Sequence, residues 1–502
     1  MTVLQNVMWF LDVRTVLLCV AVLLVLRWFL GRPKNLPPGP WGFPLIGSVL
    51  AIGREIRRGV EPHDLFMRYA AKYGPVFRLK IFNKTVVVLN DYSSVKEAFQ
   101  HPQLQDRPKM LLTKVLKSDG VSIASGQPWL ELRRFSLTVL RSFGVGKTSF
   151  EEKIGTEAEE LMKEMSAFSG KPFDPKPLLG NAVSNVICNV VFGKRYEYTD
   201  EQFNKLLSLL GRNFKLLGAG AAVNFFPALR YLPFVSIDEI IANFEEIRMF
   251  ITTIIDNHRA NFDADDVKDF TDSFLMEIKR NEAKDASGVK HGLLSEGNLV
   301  GTVTALFAAG SETTATTLQW TLLYMAVYPE IQQRVQAEID AVVGRNRLPR
   351  MADKPELNFT RAVIWEVQRL SLIVPLGVAH AAAADTQFRG FLIPKDTLLV
   401  PNLWAVTHDP KVWPEPDQFK PERFLNDKGE AVQAEELIPF SVGRRSCIGE
   451  HLAKMELFIF FSFFLHQFTF KKPDNSPPLS LKGRGGLNYS PFNFEICVIS
   501  RE

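Results

Sequence analysis

The chain is poor in cysteine, with four in 502 residues: Cys19, Cys188, Cys447 and Cys497. So few and so scattered, they exclude a disulfide framework and fit a reducing environment for the bulk of the chain. A surplus of one charge is also missing, since 59 basic against 55 acidic residues leave a formal net charge of +4. With no basic run and no zinc module, that balance speaks against a nucleic-acid partner. The sequence has no Gly-rich phosphate-cradling fingerprint and no flavin module, so any electrons the protein uses come from a separate protein. No linker-like stretch interrupts the chain after Gly47, and one large domain is expected although the length alone would allow two or three.

What stands out is the stretch Phe440-Ser441-Val442-Gly443-Arg444-Arg445-Ser446-Cys447-Ile448-Gly449. A cysteine on a turn, with flanking glycines, a leading aromatic and an arginine two residues before it, is laid out for a large, flat, anionic ligand. Gly443 and Gly449 would let the backbone take φ > 0 and come close to a macrocycle. Amides freed by the turn could point at the sulfur, Phe440 could shield it from water, and Arg445 offers a forked donor for a propionate. Cys447 therefore reads as the thiolate ligand of a heme iron. A buried structural cysteine is the bland alternative for a lone Cys. His451 could suggest half a zinc site, but no second Cys/His pair completes it.

This decapeptide resembles the cysteine-loop signature of the cytochromes P-450, Phe-x-x-Gly-x-Arg-x-Cys-x-Gly, and further matches extend the likeness from Pro37 to the C-terminus. Trp129 and Arg133, at i and i+4 on one helix face, match the family's Trp-x-x-x-Arg, which holds a heme propionate. Ala309-Gly310-Ser311-Glu312-Thr313-Thr314 interrupts an apolar helix and matches the family's acid-alcohol run, so Glu312 and Thr313 are the expected catalytic pair for proton delivery. A mid-helix Thr can bond the carbonyl at i−4, here that of Ala309, and open the helix to water. Glu366 and Arg369 with Arg423 match the family's buried ion-pair core. His380 and Arg107 match propionate contacts, although Ala379 and Ala381 to Ala384 depart from the commoner Pro before that His.

The resemblance implies a mainly α protein with a small β region, the cytochrome P-450 fold, holding heme b with Cys447 as iron ligand. It implies NADPH-driven insertion of one oxygen atom into an apolar substrate, a xenobiotic, fatty acid or steroid. Electrons would come from NADPH-cytochrome P-450 reductase, with cytochrome b5 as a second donor. Arg133, Arg134, Arg141, Lys147, Arg444 and Lys454 are candidates for the docking face, with solvated charges as the alternative. A heme-thiolate isomerase or dehydratase and a non-catalytic heme sensor are the rival readings.

Three segments are expected: an anchor over residues 1–30, a proline-rich hinge over 31–47 and the catalytic domain over 48–502. Val16 to Leu26 is an unbroken apolar run, and Trp9 and Trp28 stand where they could mark its two interfaces. Arg32-Pro33-Lys34 rather than a cleavage site follows, which favours a retained transmembrane anchor over a signal peptide and places the domain on the cytosolic side of the endoplasmic reticulum. Further on, helices are expected over 63–73, 149–168, 177–192 and 295–328, and an apolar, Phe-rich one after Cys447 to about Phe468. One of roughly 25 residues should open at Ser236 with a capping box, and a hairpin should turn at Asn83-Lys84. The aromatic stretch Asn224 to Phe234 is a candidate cavity roof or bilayer contact, with ordinary core as the alternative.

Overall fold

The computed structural model describes residues 15–20, 22–23, 35–43, 46–110, 120–146, 150–225, 237–285 and 294–501. Helices carry most of it. Those that bear on the site are α1 (Gly126–Ser142), α2 (Lys176–Val191), α3 (Glu201–Phe225), α4 (Ile237–Ala260), α5 (Glu296–Val327), α6 (Asn358–Leu370) and α7 (Glu450–Gln467). The end of the aromatic stretch, residues 226–234, lies outside the described residues, as does Ser236.

The axis of the molecule is α5. Ser295 starts it: its hydroxyl accepts from the Asn298 amide while the Asn298 side chain accepts from the Ser295 amide, so two otherwise orphaned N–H groups are satisfied reciprocally. The helix then runs 32 residues, or about 48 Å at 1.5 Å per residue, and stops before Pro329. From Thr314 to Met325 every residue is buried, as expected of a helix packed on all sides. Its closest neighbour is α2. A side-chain carbon on Gly310 would lie 3.0 Å from Ile187 of α2, so glycine here sets how near the two helices can come. The Phe-rich α7 is buried along most of its length and packs on α5 and α6.

The β region is small. Strands β1 (Val76–Ile81) and β2 (Lys84–Leu89) form the expected hairpin; β2 pairs in parallel with β6 (Leu398–Pro401), and β6 pairs antiparallel with β3 (His380–Ala381). β4 (Thr386–Phe388) and β5 (Phe391–Ile393) make a hairpin through Arg389 and Gly390, both with positive φ. Near the C-terminus β7 (Phe468–Lys471) pairs with β10 (Cys497–Ser500), and β8 (Gly483–Arg484) pairs with β9 (Ser490–Pro491). The described part of the proline segment lies along β1: the Arg78 amide donates to the Pro38 carbonyl at 2.7 Å and Arg78 Nε to that of Pro37 at 2.8 Å.

Glu366 and Arg369 of α6 are fully buried and joined by two hydrogen bonds of 2.7 and 2.9 Å. Arg423 adds a third to Glu366 at 3.0 Å, and Arg369 Nη1 donates to the Thr407 carbonyl at 2.9 Å. The charges are thus paired and their remaining donors used, which is the condition for tolerating ions in a core.

The expected transmembrane anchor requires correction. Among the described residues no helix is long and apolar enough to cross a membrane. The helical residues described at the N-terminus, 15–20 and 22–23, fall far short of the ~20 needed to span ~30 Å of hydrocarbon. Residues 1–14, 21 and 24–34, on which the rest of that expectation falls, lie outside the described residues. The fold is therefore mainly α with minor β, without a membrane-spanning helix among the described residues, and placement at the endoplasmic reticulum membrane, which rested on such a helix, is withdrawn.

Candidate active site: a cysteine loop beneath a cationic rim

The cysteine loop is closed by its own backbone. The Cys447 amide donates to the Phe440 carbonyl at 2.9 Å and the Ser446 amide to that of Gly443 at 3.2 Å. Ser441 and Gly443 take φ of 61° and 81°. At Gly443 a side-chain carbon would fall 2.3 Å from the Phe99 carbonyl oxygen, so the glycine is required by the neighbouring helix as well as by φ. Gly449 differs from expectation. Its φ is −92°, open to any residue, and its contribution is an N–H aimed at the Cys447 sulfur. Phe440 is half-buried at the loop entrance, with the Lys454 ammonium 5.5 Å from its ring centre.

Cys447 is exposed, yet burial is the main influence pushing its thiol up, with the Gly449 amide and Arg133 pulling it back. Both hold when a sulfur faces an internal space walled by protein. Bound to a metal cation, the same sulfur would be held as thiolate.

Around this loop the fold gathers cations. Arg133 of α1 donates to the Ser446 carbonyl at 2.8 Å. Arg445, buried, donates to the Ala124 carbonyl at 2.6 Å and lies over Trp129, its guanidinium carbon 4.1 Å from the ring centre. The edge of the sheet brings Arg107 in: the Ala381 amide bonds the Asp106 carbonyl at 2.6 Å, placing Arg107 beside β3. There its guanidinium donates to the carbonyls of Ser122, Val378 and Ala379 at 2.9 to 3.1 Å. His380, buried, bonds the Leu104 carbonyl at 3.0 Å and stacks on Phe99 with ring centres 3.8 Å apart.

These groups repel one another. Burial first, then Arg445 and Arg133, bring Arg107 down to about 9. Burial lowers Arg445 to about 10 with Arg133 adding to it, although Asp106 opposes. Burial and the neighbouring Arg107 take His380 down to about 3. Guanidinium does not give up its proton in proteins, so the crowding measures an unmet attraction for anions. Arg445 Nε, buried, has no hydrogen-bond partner among the described residues. An anionic group with two carboxylates fits this rim, and a flat one fits the sulfur beneath it.

On α5, Thr313 Oγ1 donates to the Ala309 carbonyl at 2.6 Å, the i−4 bond expected of a mid-helix Thr. Ala309 itself is exposed in the middle of this largely buried helix, so a space opens there. Glu312 turns the other way: its Oε1 lies 3.9 Å from Lys176 Nζ of α2, and burial raises its carboxyl while Lys176 and Lys215 oppose. The two residues are thus adjacent in sequence but face different surroundings.

Sequence reasoning passed over Phe99, whose ring supports His380 and whose carbonyl demands Gly443. It also passed over Glu456, a fully buried acid on α7 that bonds Thr314 of α5 and that burial pushes up to about 8. A lone acid inside the apolar run Met455 to Phe464 was the available signal.

A thiol loop, a cationic rim and an opened helix define a heme-thiolate protein. A family model described as Cytochrome P450 matches residues 37–498. The chain is 41% identical over 500 residues to cytochrome P450 2J5 of Mus musculus, covering 98% of this chain and 97% of that protein. It is 42% identical over 499 residues to cytochrome P450 2J3 of Rattus norvegicus, with the same coverage. Against cytochrome P450 2U1 of Homo sapiens it is 37% identical over 494 residues, covering 94% and 90%. The chain belongs to the cytochrome P450 family. It is a heme-dependent monooxygenase that acts on lipophilic substrates with electrons from a reductase, and its cofactor is heme b with a cysteine as axial ligand. These relatives give no support to a reaction without dioxygen.

Proposed function

We propose that Cys447 is the axial ligand and that Arg107, Trp129, Arg133, His380 and Arg445 hold the heme propionates, with Phe440 and Gly443 shaping the loop. The carrying observation is the convergence of three guanidiniums on the only cysteine that sits in a turn facing an internal space. Cys188 is fully buried mid-helix in α2 and its thiol is pushed far up by burial, which suits a packing role. The heme supplies the one-electron and dioxygen chemistry. The chain supplies the rest: the rim fixes the ligand plane, and the Gly449 amide moderates charge on the sulfur. Thr313, anchored at Ala309, presents its hydroxyl oxygen to a water in the opened turn. Glu312, whose carboxyl burial pushes up against the pull of Lys176 and Lys215, passes protons inward. These are positioned acid–base groups whose removal costs ~10²–10⁴-fold in such reactions.

The electron donor is NADPH-cytochrome P-450 reductase, with cytochrome b5 as a second donor, docking on the side of the loop where Arg134, Arg141 and Arg444 are exposed. Lys454 is less free, since it pairs with Glu450 at 2.7 Å, and Lys147 lies outside the described residues. The test is turnover with reductase and NADPH on a panel of fatty acids, steroids and xenobiotics. Substrate-dependent NADPH and oxygen consumption with oxygenated product is expected, falling steeply with ionic strength. Heme-loaded protein that reduces normally yet oxygenates nothing in a broad panel would contradict it.

A further inference from the structure

A second polar cavity lies outside the heme site. It is a narrow, solvent-open pocket bounded by the β8–β9 turn, the first residue of α2 and the middle of α3. Lys176, Lys215 and Arg484 line it, together with Asn488 and Gln319. Asn488 is only 4% exposed, and neither its amide nitrogen nor its oxygen has a hydrogen-bond partner among the described residues. Buried amides left this way are rare in folded proteins and call for an occupant. Lys215 is pulled down by Lys176, by burial and by Arg484, with Glu312 the main opposing acid. Asp174, the one acid among the lining residues, is exposed and spends one oxygen on the Lys176 amide at 2.9 Å. Arg484 gives one donor to Asn493 Oδ1 at 2.9 Å, and its remaining guanidinium donors leave capacity for a ligand.

We propose that this cavity binds a small oxyanion bearing a hydroxyl, such as hydrogen phosphate or a hydroxycarboxylate, or the acid end of a lipophilic substrate. Lys215 and Arg484 take the charge, the Asn488 N–H donates to the oxyanion and its carbonyl accepts the hydroxyl. Lys176, 3.9 Å from Glu312, puts the occupant one side chain away from that acid. The site would thus carry information about an anion to the proton-delivering side of α5.

The test uses holoprotein with Lys215→Gln, Asn488→Leu and the conservative Lys215→Arg. Lys215 is exposed, so its substitution leaves the fold intact even where Asn488→Leu disturbs the turn. Thermal midpoints are measured with inorganic phosphate, lactate and dodecanoate against chloride at equal ionic strength. This readout needs no turnover and separates failure of the site from failure of the monooxygenase reading on which the substrate arm rests. A saturable rise for phosphate or lactate, weakened about 10-fold by Lys215→Gln and restored by Lys215→Arg, supports a free-anion site. A KM for dodecanoate, but not its methyl ester, that rises about 10-fold in the variants supports a substrate acid end. If all three anions act equally on wild type and variants, or on none, the proposal is overturned.

Discussion

The guanidinium carbon of Arg445 lies 4.1 Å from the centre of the Trp129 ring, joining the cysteine loop to α1 through a stacked cation that still has Nε unbonded. The ring contact and the bond to the Ala124 carbonyl hold the guanidinium in place, so little rotamer freedom remains to be lost on binding.

Arg445→Leu should therefore weaken heme retention. A charge-assisted hydrogen bond is worth ~1.5–3 kcal/mol, or roughly 10- to 100-fold in affinity. Arg445→Lys should fall between, having charge without the fork. The heme-to-protein absorbance ratio after gel filtration reads this directly; an unchanged ratio in Arg445→Leu removes Arg445 from the propionate set.

Arg369→Met should destabilise the fold, because it leaves Glu366 buried with Arg423 as its one charged partner among the described residues. Breaking a buried pair costs ~3–5 kcal/mol. The expected result is a urea midpoint well below wild type, and unfolding at the wild-type midpoint would show that the pair is energetically neutral.

Thr313→Ala should leave heme binding intact but divert reducing equivalents from product to hydrogen peroxide. In the proposed role the Thr313 hydroxyl, which donates to Ala309, would hold a proton-bearing water, so Thr313→Ser should restore much of the coupling. NADPH, product and peroxide are measured together. A product-to-NADPH ratio equal to wild type would leave the polar run as a solvated face only.

His258 carries a pH dependence away from the heme. Burial pulls it down, but its 2.8 Å bond to Asp269, then the Ile254 carbonyl, outweigh that and hold it at about 9. A histidine raised in the folded state contributes stability fully present below its ordinary 6.5 and lost as pH rises through about 9. The thermal midpoint of wild type should thus exceed that of His258→Gln most below pH 6.5, and the gap should close by about pH 10. A gap that widens as pH rises would reverse the sign and refute the ion pair.

Much of this was legible in the sequence because local rules leave local traces. Ser295 and Pro329 bound α5, Gly74 ends the helix before β1, and the Thr313 bond to Ala309 follows from position i−4 alone. The spacing from Phe440 to Gly449 marked the cysteine loop for the same reason. Contacts between distant segments leave no such trace. Nothing in periodicity shows that Gly443 must clear the Phe99 carbonyl, that Gly310 admits Ile187, or that Asp106 bridges to Ala381 and so brings Arg107 to the rim. Gly449 illustrates the opposite error, a glycine read for its φ that adopts an ordinary one. The anchor was inferred from an apolar run without a described helix of spanning length to carry it.

The central assignment, Cys447 as thiolate ligand, is tested most directly by the ferrous carbonyl spectrum of Cys447→Ser reconstituted with heme, beside Cys188→Ser as control. Loss of the thiolate signature in Cys447→Ser with retention in Cys188→Ser is expected, because serine oxygen cannot replace the electron-rich sulfur. A heme-loaded Cys447→Ser protein with the wild-type spectrum would contradict the assignment.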